Sequence, residues 1–184
     1  MSSPLRPTPP PPARADENVL RREFGGRPTA VRPLRPDDSR RLLAFFRSHT
    51  PETVRSRYGY CVGEMSAIRA AELVGVDQTI DSALGIFEGT GAAQRLVAIG
   101  RCYRLPGQAK AEIAFVVHEE RRRLGMAAAV YDALSEIMRP RGVTHFVAQV
   151  EQDNAAMLGL FLRHGGKTRA IPGTNALDVS ISLH

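Results

Sequence analysis

The stretch AEIAFVVHEERRRLGMAAAVYDAL, residues 111–134, decides the fold. It begins with the run IAFVV at residues 113–117, which is short, apolar and rich in strand-forming side chains, and so predicts a β-strand. Gly125 then opens a predicted helix. Its apolar face carries side chains at helical spacing: Val130, Leu134, Ile137 and Met138. A strand that turns through a basic, glycine-containing loop into a helix is typical of an anion site.

The charge of this loop supports the anion site. The first backbone N–H groups of a helix have no partner within the helix, and the macrodipole adds partial positive charge there. Arg121, Arg122 and Arg123 add full charge beside these donors, and they oppose the dipole unless an anion is bound. The pattern predicts a phosphate or pyrophosphate ligand. A solvated arginine run at a helix start is the alternative.

Composition limits the class of protein. The 184 residues favour one domain, and 43% hydrophobic residues suffice for a sizeable core. The net charge of +6 favours a polyanionic partner, such as nucleic acid, an anionic surface or a phosphate-bearing cofactor. Nucleic acid is disfavoured because the basic residues form no stripe with interleaved aromatic residues, and tryptophan is absent from the sequence.

The cysteines and the hydropathy pattern indicate a cytoplasmic protein. Cys61 and Cys102 lie far apart in apolar surroundings, which predicts two buried free thiols in a reducing compartment. We expect no membrane attachment, because no stretch reaches transmembrane length and the N-terminus lacks the apolar core of a signal peptide. No His, Cys and carboxylate cluster has metal-ligand spacing, so we expect no metal.

The N-terminal residues differ in composition from the rest. Residues 1–28 are predicted as a disordered, proline-rich tail and residues 29–184 as the folded domain. The run PLRPTPPPPAR favours polyproline II or disorder. Residues 16–24 allow a short helix, which Gly25, Gly26 and Pro28 would end.

The folded part predicts an α/β (mixed α+β) three-layer domain. A strand at residues 29–35, placed at a sheet edge by Pro33, leads to a helix that Asp37 and Asp38 begin. A short helix from Pro51 and another capped by Ser66 follow. The later order is three sequential strands (82–88, 95–105, 110–117), a helix, a strand (144–150), a helix (154–164) and two strands (167–170, 177–183). This order predicts a central mixed, mostly antiparallel sheet flanked by helices.

Two segments carry a resemblance to a known family. Residues 122–127, RRLGMA, have the pattern Q/R-x-x-G-x-G/A, and residues 154–165, NAAMLGLFLRHG, resemble N-x-x-A-x-x-L-Y-x-x-x-G-F. Together with the element order over residues 29–183, they resemble the GNAT superfamily of acyl-CoA-dependent N-acyltransferases. Residues 31–58, VRPLRPDDSRRLLAFFRSHTPETVRSRY, are most similar to bacterial protein lysine acetyltransferases, which often modify acyl-CoA synthetases or are fused to them.

The resemblance implies an N-acetyltransferase with acetyl-CoA as co-substrate. The acceptor is an amine, with a protein lysine, for example on an acyl-CoA synthetase, as the first candidate. A small-molecule or N-terminal amine and a non-catalytic acyl-CoA-binding module remain alternatives. The helices between residues 37 and 76 would build the acceptor pocket. The sequence does not indicate the oligomeric state.

The resemblance also implies the cofactor-binding residues. The backbone N–H groups that would hold the pyrophosphate belong to Arg123, Leu124, Gly125, Met126 and Ala127, with Arg122 beside them. Arg121 is expected to face solvent or the 3′-phosphate. The residues that would carry the pantetheine arm are Phe115, Val116 and Val117, on a strand that splays from the next one. Asn154 would contact the same arm, cap the helix that follows it, or both.

Glu112 is the candidate general base, because the lysine acetyltransferase subgroup implies a glutamate on this strand. Alternatively, Glu112 has a structural role, with its side chain facing outward and paired with Lys110 or an arginine. A backbone N–H near Val117 would stabilise the oxyanion. Phe161, also assigned to the cofactor site, stands where many GNAT enzymes have a tyrosine that protonates the thiolate, and phenylalanine cannot do so. His118 is expected at the surface.

Overall fold

The computed structural model describes residues 19–58 and 65–183, and within them the chain forms eight strands and five α-helices. The strands are β1 (Leu20–Phe24), β2 (Arg27–Pro33), β3 (Ser82–Glu88), β4 (Arg95–Arg104), β5 (Lys110–Val117), β6 (His145–Glu151), β7 (Lys167–Ala170) and β8 (Ala176–Ser182). The helices are α1 (Ser39–Ser48), α2 (Pro51–Tyr58), α3 (Ala67–Val74), α4 (Met126–Met138) and α5 (Ala155–Arg163).

The strands form one sheet in the order β1-β2-β3-β4-β5-β6-β8-β7. Every neighbouring pair is antiparallel except β5 and β6, which are parallel because α4 lies between them in the chain. The predicted mixed, mostly antiparallel sheet flanked by helices is therefore confirmed.

Each face of the sheet has its own apolar core. The α4–α5 core contains Leu134 of α4 and Phe161 of α5, packed with Phe146 of β6. The α1–α3 core contains Leu42 of α1 and Val74 of α3. Side chains alternate between the two faces along a strand. Strand β5 supplies Ile113 and Phe115 to the first core and Val116 to the second, so it lies at the centre of the three layers.

The N-terminal end of the sheet differs from the sequence prediction in two ways. Strand β1 occupies Leu20–Phe24, inside the region predicted as tail or short helix, so the fold begins before residue 28. Strand β2 is not at the edge, despite Pro33, because it pairs with β1 on one side and β3 on the other. Residues 1–18, with the proline run, lie outside the described residues.

Two predictions about local chemistry near α1 and β4 have different outcomes. Asp38 stands at the N-cap of α1 but makes no capping hydrogen bond; its buried carboxylate instead accepts two hydrogen bonds from Arg32, at 2.7 and 2.8 Å. Cys102 is a buried free thiol, as predicted, and burial raises its pKa to about 12. Cys61 lies outside the described residues.

Candidate active site

Strands β5 and β6 separate soon after they meet. They pair only at Lys110–His145, Ala111–Phe146 and Glu112–Val147. Beyond Glu112, β5 continues to pair with β4 and β6 with β8, but the two strands no longer pair with each other. The sheet therefore contains an opening between β5 and β6 that is closed at Glu112. The splay predicted for this pair of strands is confirmed.

The backbone of β5 faces this opening at every second residue. The N–H of His118 donates to the carbonyl of Val97 at 2.9 Å. Because hydrogen-bonding direction alternates along an antiparallel strand, Val116 also bonds β4, whereas Phe115 and Val117 direct their N–H and C=O groups towards the opening. The side chains of Phe115 and Val116 are buried. Backbone groups are therefore what β5 offers to a ligand there.

The loop after β5, residues 118–125, leads into α4, and we call it the basic loop. Gly125 is the N-cap of α4 and has a φ of 82°, which favours glycine. The first intrahelical bond joins the N–H of Ala129 to the carbonyl of Gly125 at 3.0 Å, so the N–H groups of Met126 and Ala127 lie at the positive end of the helix. The Met126 side chain is buried, and only its backbone can meet an anion.

The three arginines of the basic loop have different environments. Arg121 forms a two-point ion pair with Glu88, with distances of 2.6 and 3.2 Å. The expectation that Arg121 faces solvent is therefore wrong, because its side chain is only 12% exposed and pairs with Glu88 at the end of β3. Arg122 and Arg123 are exposed. Arg123 has a φ of 63°, which strains a residue with a side chain.

The other loop residues are fixed from both sides. Leu124 packs beside the β1–β2 turn, where a Cβ at Gly25 would lie 3.1 Å from Leu124 Cδ1. On the opposite side Glu119 accepts hydrogen bonds from the Thr50 N–H at 3.0 Å and from His49 Nδ1 at 3.0 Å. The basic loop is thus held between the β1–β2 turn and the junction of α1 with α2.

Electrostatics fix the charges of this junction. Burial alone would raise the pKa of Glu119, but hydrogen bonds from Thr53, the backbone N–H groups of Glu119 and Thr50, and His49 hold it far below its usual range. Burial lowers the pKa of His49, and the Glu119 carboxylate opposes this only in part. His49 is therefore neutral at pH 7, and its Nδ1 carries the proton because a carboxylate can only accept.

His118 and His49 are buried together. His118 is 7% exposed, and its ring centroid lies 5.3 Å from that of His49. The prediction that His118 is a surface residue is wrong, because its side chain is buried against the His49 ring, which follows α1. His49 Nε2 is buried without a hydrogen-bond partner among the residues that the structure describes.

Glu112 lies at the closed end of the opening. It is exposed, and it is on the same face of β5 as Val116, towards the α1–α3 side. Across the strand it pairs with Tyr103, whose hydroxyl accepts a hydrogen bond from Arg101 at 3.2 Å. Within the described residues Glu112 forms no ion pair with Lys110 or an arginine, so the contacts there do not support a role for Glu112 as a surface ion-pair partner.

Asn154 is the N-cap of α5, and Phe161 lies within this helix. Asn154 Oδ1 accepts a hydrogen bond from the N–H of Met157 at 3.2 Å and so caps α5. Its NH₂ group stays a donor that a ligand could use. Phe161 is 1% exposed, and its ring lies 6.1 Å from that of Phe115. Phe161 thus packs against β5 from the core, and its side chain is not accessible to a ligand.

Several residues of this site were not identified from the sequence, and three of them lie near the candidate base or the basic loop. They are Thr53, Tyr103 and Glu119. The alternation in residues 95–105 and 110–117 could have placed Tyr103 opposite Glu112, given the correct hairpin register. Thr53 and Glu119 meet across 66 residues of sequence, and nothing in the local pattern brings them together. Within the described ranges the structure contains no group of three or more His, Cys, Asp or Glu side chains that could hold a metal ion.

Comparison with known proteins identifies the family. Residues 45–166 match the model of the acetyltransferase (GNAT) family. The chain therefore belongs to the GNAT acetyltransferase family, which confirms the N-acetyltransferase class expected from the sequence. In the described part of the chain, no helix is long and apolar enough to cross a bilayer.

Two solved structures are similar in fold. The GNAT domain of S. lividans PAT superposes with a TM-score of 0.79 at 22% identity, covering 90% of this chain and 97% of that one. PaiA N-acetyltransferase from Thermoplasma acidophilum, solved in complex with coenzyme A, has a TM-score of 0.65 at 15% identity, covering 84% and 98%. These two likenesses support the fold.

A curated relative shows a more limited match. Alpha-tubulin N-acetyltransferase 2 from Drosophila melanogaster is 29% identical over 123 residues. The match covers 61% of this chain and 42% of that protein.

Proposed function

We propose that this protein transfers an acetyl group from acetyl-CoA to the side-chain amine of a protein lysine. The observation that carries the proposal is the opening between β5 and β6, which begins at Glu112 and lies beside the positive end of α4. An extended ligand with amide groups can add to the exposed β5 backbone, as a strand adds to a sheet. A pyrophosphate at its other end fits the N–H groups of Met126 and Ala127.

The roles of the site residues follow from this placement. The backbone N–H groups of residues 123–127, with Arg122 beside them, would hold the pyrophosphate. The β5 backbone at Phe115 and Val117 would bind the pantetheine arm from one side, and the Asn154 NH₂ group from the other. Arg121 is not assigned to the phosphate, because its guanidinium is paired with Glu88.

The reaction requires a deprotonated amine. A lysine side chain is mostly protonated at neutral pH, so a carboxylate must accept its proton, directly or through one water molecule. Glu112 would accept it. The amine nitrogen then forms a bond with the thioester carbon, and the N–H of Val117 stabilises the oxyanion. The adduct nitrogen gives its second proton to water, the C–S bond breaks, and the coenzyme A thiolate leaves and takes a proton from the same solvent, because Phe161 has none to give.

The acceptor assignment rests on resemblance and on position. Residues 31–58 resemble bacterial protein lysine acetyltransferases, and S. lividans PAT superposes over nine-tenths of this chain. Glu112 and Tyr103 face the α1–α3 side, where the sheet surface is exposed. A lysine that enters from that side would pass its alkyl stem along the Tyr103 ring and bring its nitrogen to Glu112.

Turnover of three acceptors tests the proposal. Wild-type protein and acetyl-CoA are incubated with a lysine peptide blocked at its N-terminus, a peptide with a free N-terminus and no lysine, and spermidine. Coenzyme A release is followed with a thiol reagent. We expect turnover of the first peptide. Exclusive turnover of either other amine would overturn the lysine assignment, and coenzyme A binding without any turnover would indicate a non-catalytic module.

The base is tested with Glu112→Gln. We expect kcat to fall about 10²–10⁴-fold at pH 7, with unchanged affinity for coenzyme A. The loss should shrink as the pH rises, because more of the acceptor amine is then already deprotonated. Glu136→Gln, an exposed change on α4, is the matched control. Full activity of Glu112→Gln would remove Glu112 from the mechanism.

A further inference from the structure

Arg122 is an exposed arginine of the basic loop, and its side chain contacts the start of α2. Its Nη2 donates to the Thr53 hydroxyl at 2.7 Å, and the same nitrogen lies 4.0 Å from Glu119 Oε1. The Arg122 side chain is still 53% exposed. Since a guanidinium has five N–H donors and Thr53 uses one, most of its donors remain available to a phosphate.

Thr53 is itself firmly placed. It is only 9% exposed, in the first turn of α2. Its backbone N–H donates to the Thr50 hydroxyl at 3.3 Å, and the Thr50 hydroxyl and N–H both donate to Glu119, at 3.2 and 3.0 Å. The residues form a closed ring of contacts from Glu119 to Thr50, Thr53, Arg122 and back to Glu119.

This ring joins two parts of the molecule. Glu119 and Arg122 belong to the basic loop, whereas Thr50 precedes α2 and Thr53 lies in its first turn, among the helices expected to build the acceptor pocket. A further contact fixes this ring: Glu119 also accepts a hydrogen bond from His49, whose side chain is fully buried. A loose arginine would lose conformational entropy on binding a phosphate, and a pre-oriented one loses less.

From these contacts we propose that Thr53 is a positioning residue, which holds the Arg122 guanidinium in place for the pyrophosphate of acetyl-CoA. The inference rests on the proposed function for the identity of the ligand. It assigns to the start of α2 a part in cofactor affinity, although this helix lies outside the strand–loop–helix unit that binds the cofactor.

The test uses an isosteric pair of variants. Thr53→Val keeps the branched shape but removes the hydroxyl, and Thr53→Ser keeps the hydroxyl. Coenzyme A binding is measured by calorimetry. We expect about 5- to 30-fold weaker binding for Thr53→Val, because a released guanidinium must lose side-chain entropy to bind the pyrophosphate, and little change for Thr53→Ser. Unchanged or tighter binding by Thr53→Val would overturn the proposal.

A double-mutant cycle separates positioning from general support of the fold. In an Arg122→Gln background, Thr53→Val should cause no further loss of coenzyme A affinity. An equal loss in both backgrounds would show that Thr53 acts independently of Arg122, against the proposal.

Two coenzyme A fragments give a second readout. Pyrophosphate and pantetheine are tested as competitive inhibitors of the wild type and of Thr53→Val. The inhibition constant of pyrophosphate should rise in the variant and that of pantetheine should not; an equal rise of both would indicate a distorted site and overturn the proposal. Wild type that binds coenzyme A but acetylates no amine would defeat the proposed function and leave this inference standing.

Discussion

At the scale of single residues, Arg32 and Asp38 form the ion pair that fixes α1 to the sheet. Both are buried, and the Arg32 guanidinium also lies 3.7 Å from the centroid of the Phe87 ring. Burial alone would raise the pKa of Asp38, but hydrogen bonds from Arg32 and the Arg35 N–H hold it below its usual range. Asp38 is therefore charged in the folded protein.

Removal of this charge should destabilise the fold. Asp38→Asn leaves the Arg32 cation buried without its counter-charge, so we expect the free energy of unfolding to fall by about 3 kcal/mol. Urea denaturation measures the change. The neighbouring Asp37→Asn is the control, because Asp37 is exposed and should change stability by less than about 0.5 kcal/mol. Equal effects of the two substitutions would contradict the assignment.

At the scale of elements, α4 packs on β4 at a glycine. A Cβ at Gly100 would overlap Val130 Cγ1 and press on the Phe115 ring. Gly100 therefore allows α4 to approach the sheet closely. This close packing determines how far the N-terminus of α4 lies from the opening between β5 and β6. Gly159, in α5, has no such constraint, since a Cβ there would meet only the end of the flexible Arg163 side chain at 3.5 Å.

The two glycines should respond in opposite directions to alanine. Gly100→Ala overpacks the core and should lower the free energy of unfolding by about 1–3 kcal/mol. Gly159→Ala should raise it by about 0.5–1 kcal/mol, because alanine favours a helix interior and glycine does not. Thermal unfolding of the two variants tests this, and a stabilising Gly100→Ala would show that α4 does not contact β4 as described.

The sequence predicted some elements well and others poorly, for physical reasons. Helix α4 and strand β5 were predicted because their apolar residues recur at the required spacing. Strand β1 was missed because LRREF carries three charges and its first four residues are exposed; its pairing with β2 makes it a strand. The role of Arg121 was mistaken because Glu88 lies 33 residues away, a distance over which local patterns carry no information.

At the scale of the whole molecule, acid should unfold the protein in two stages. The pKa of His49 is lowered in the fold from its ordinary value of 6.5. As the pH falls below 6.5, the unfolded chain therefore takes up a proton at this histidine before the folded chain does. Stability therefore starts to fall below pH 6.5. Asp38 and Glu119 also have lowered pKa values in the fold; their contribution is complete above about 3.8 and 4.5 and is lost as the pH falls through the folded-state values.

His49→Asn should flatten the first stage. The asparagine NH₂ group can still donate to Glu119 but does not titrate, so the free energy of unfolding should fall less between pH 7 and pH 5 than in the wild type. Urea denaturation at several pH values measures both slopes, with His145→Asn, at an exposed hydroxyl contact, as the comparison. Identical slopes for His49→Asn and wild type would contradict a neutral His49.

The split between β5 and β6 also bears on aggregation. Unpaired strand backbone normally invites another polypeptide to pair with it, and exposed sheet edges are a common origin of fibres. In this protein the backbone groups of β5 that do not pair with β6, between residues 113 and 117, lie inside the sheet and opposite another strand, in a wedge that is closed at Glu112. A foreign strand cannot run past that closed end. The fold can therefore leave these backbone hydrogen-bonding groups available to a narrow, extended ligand, and they do not form an exposed sheet edge on which another chain could pair.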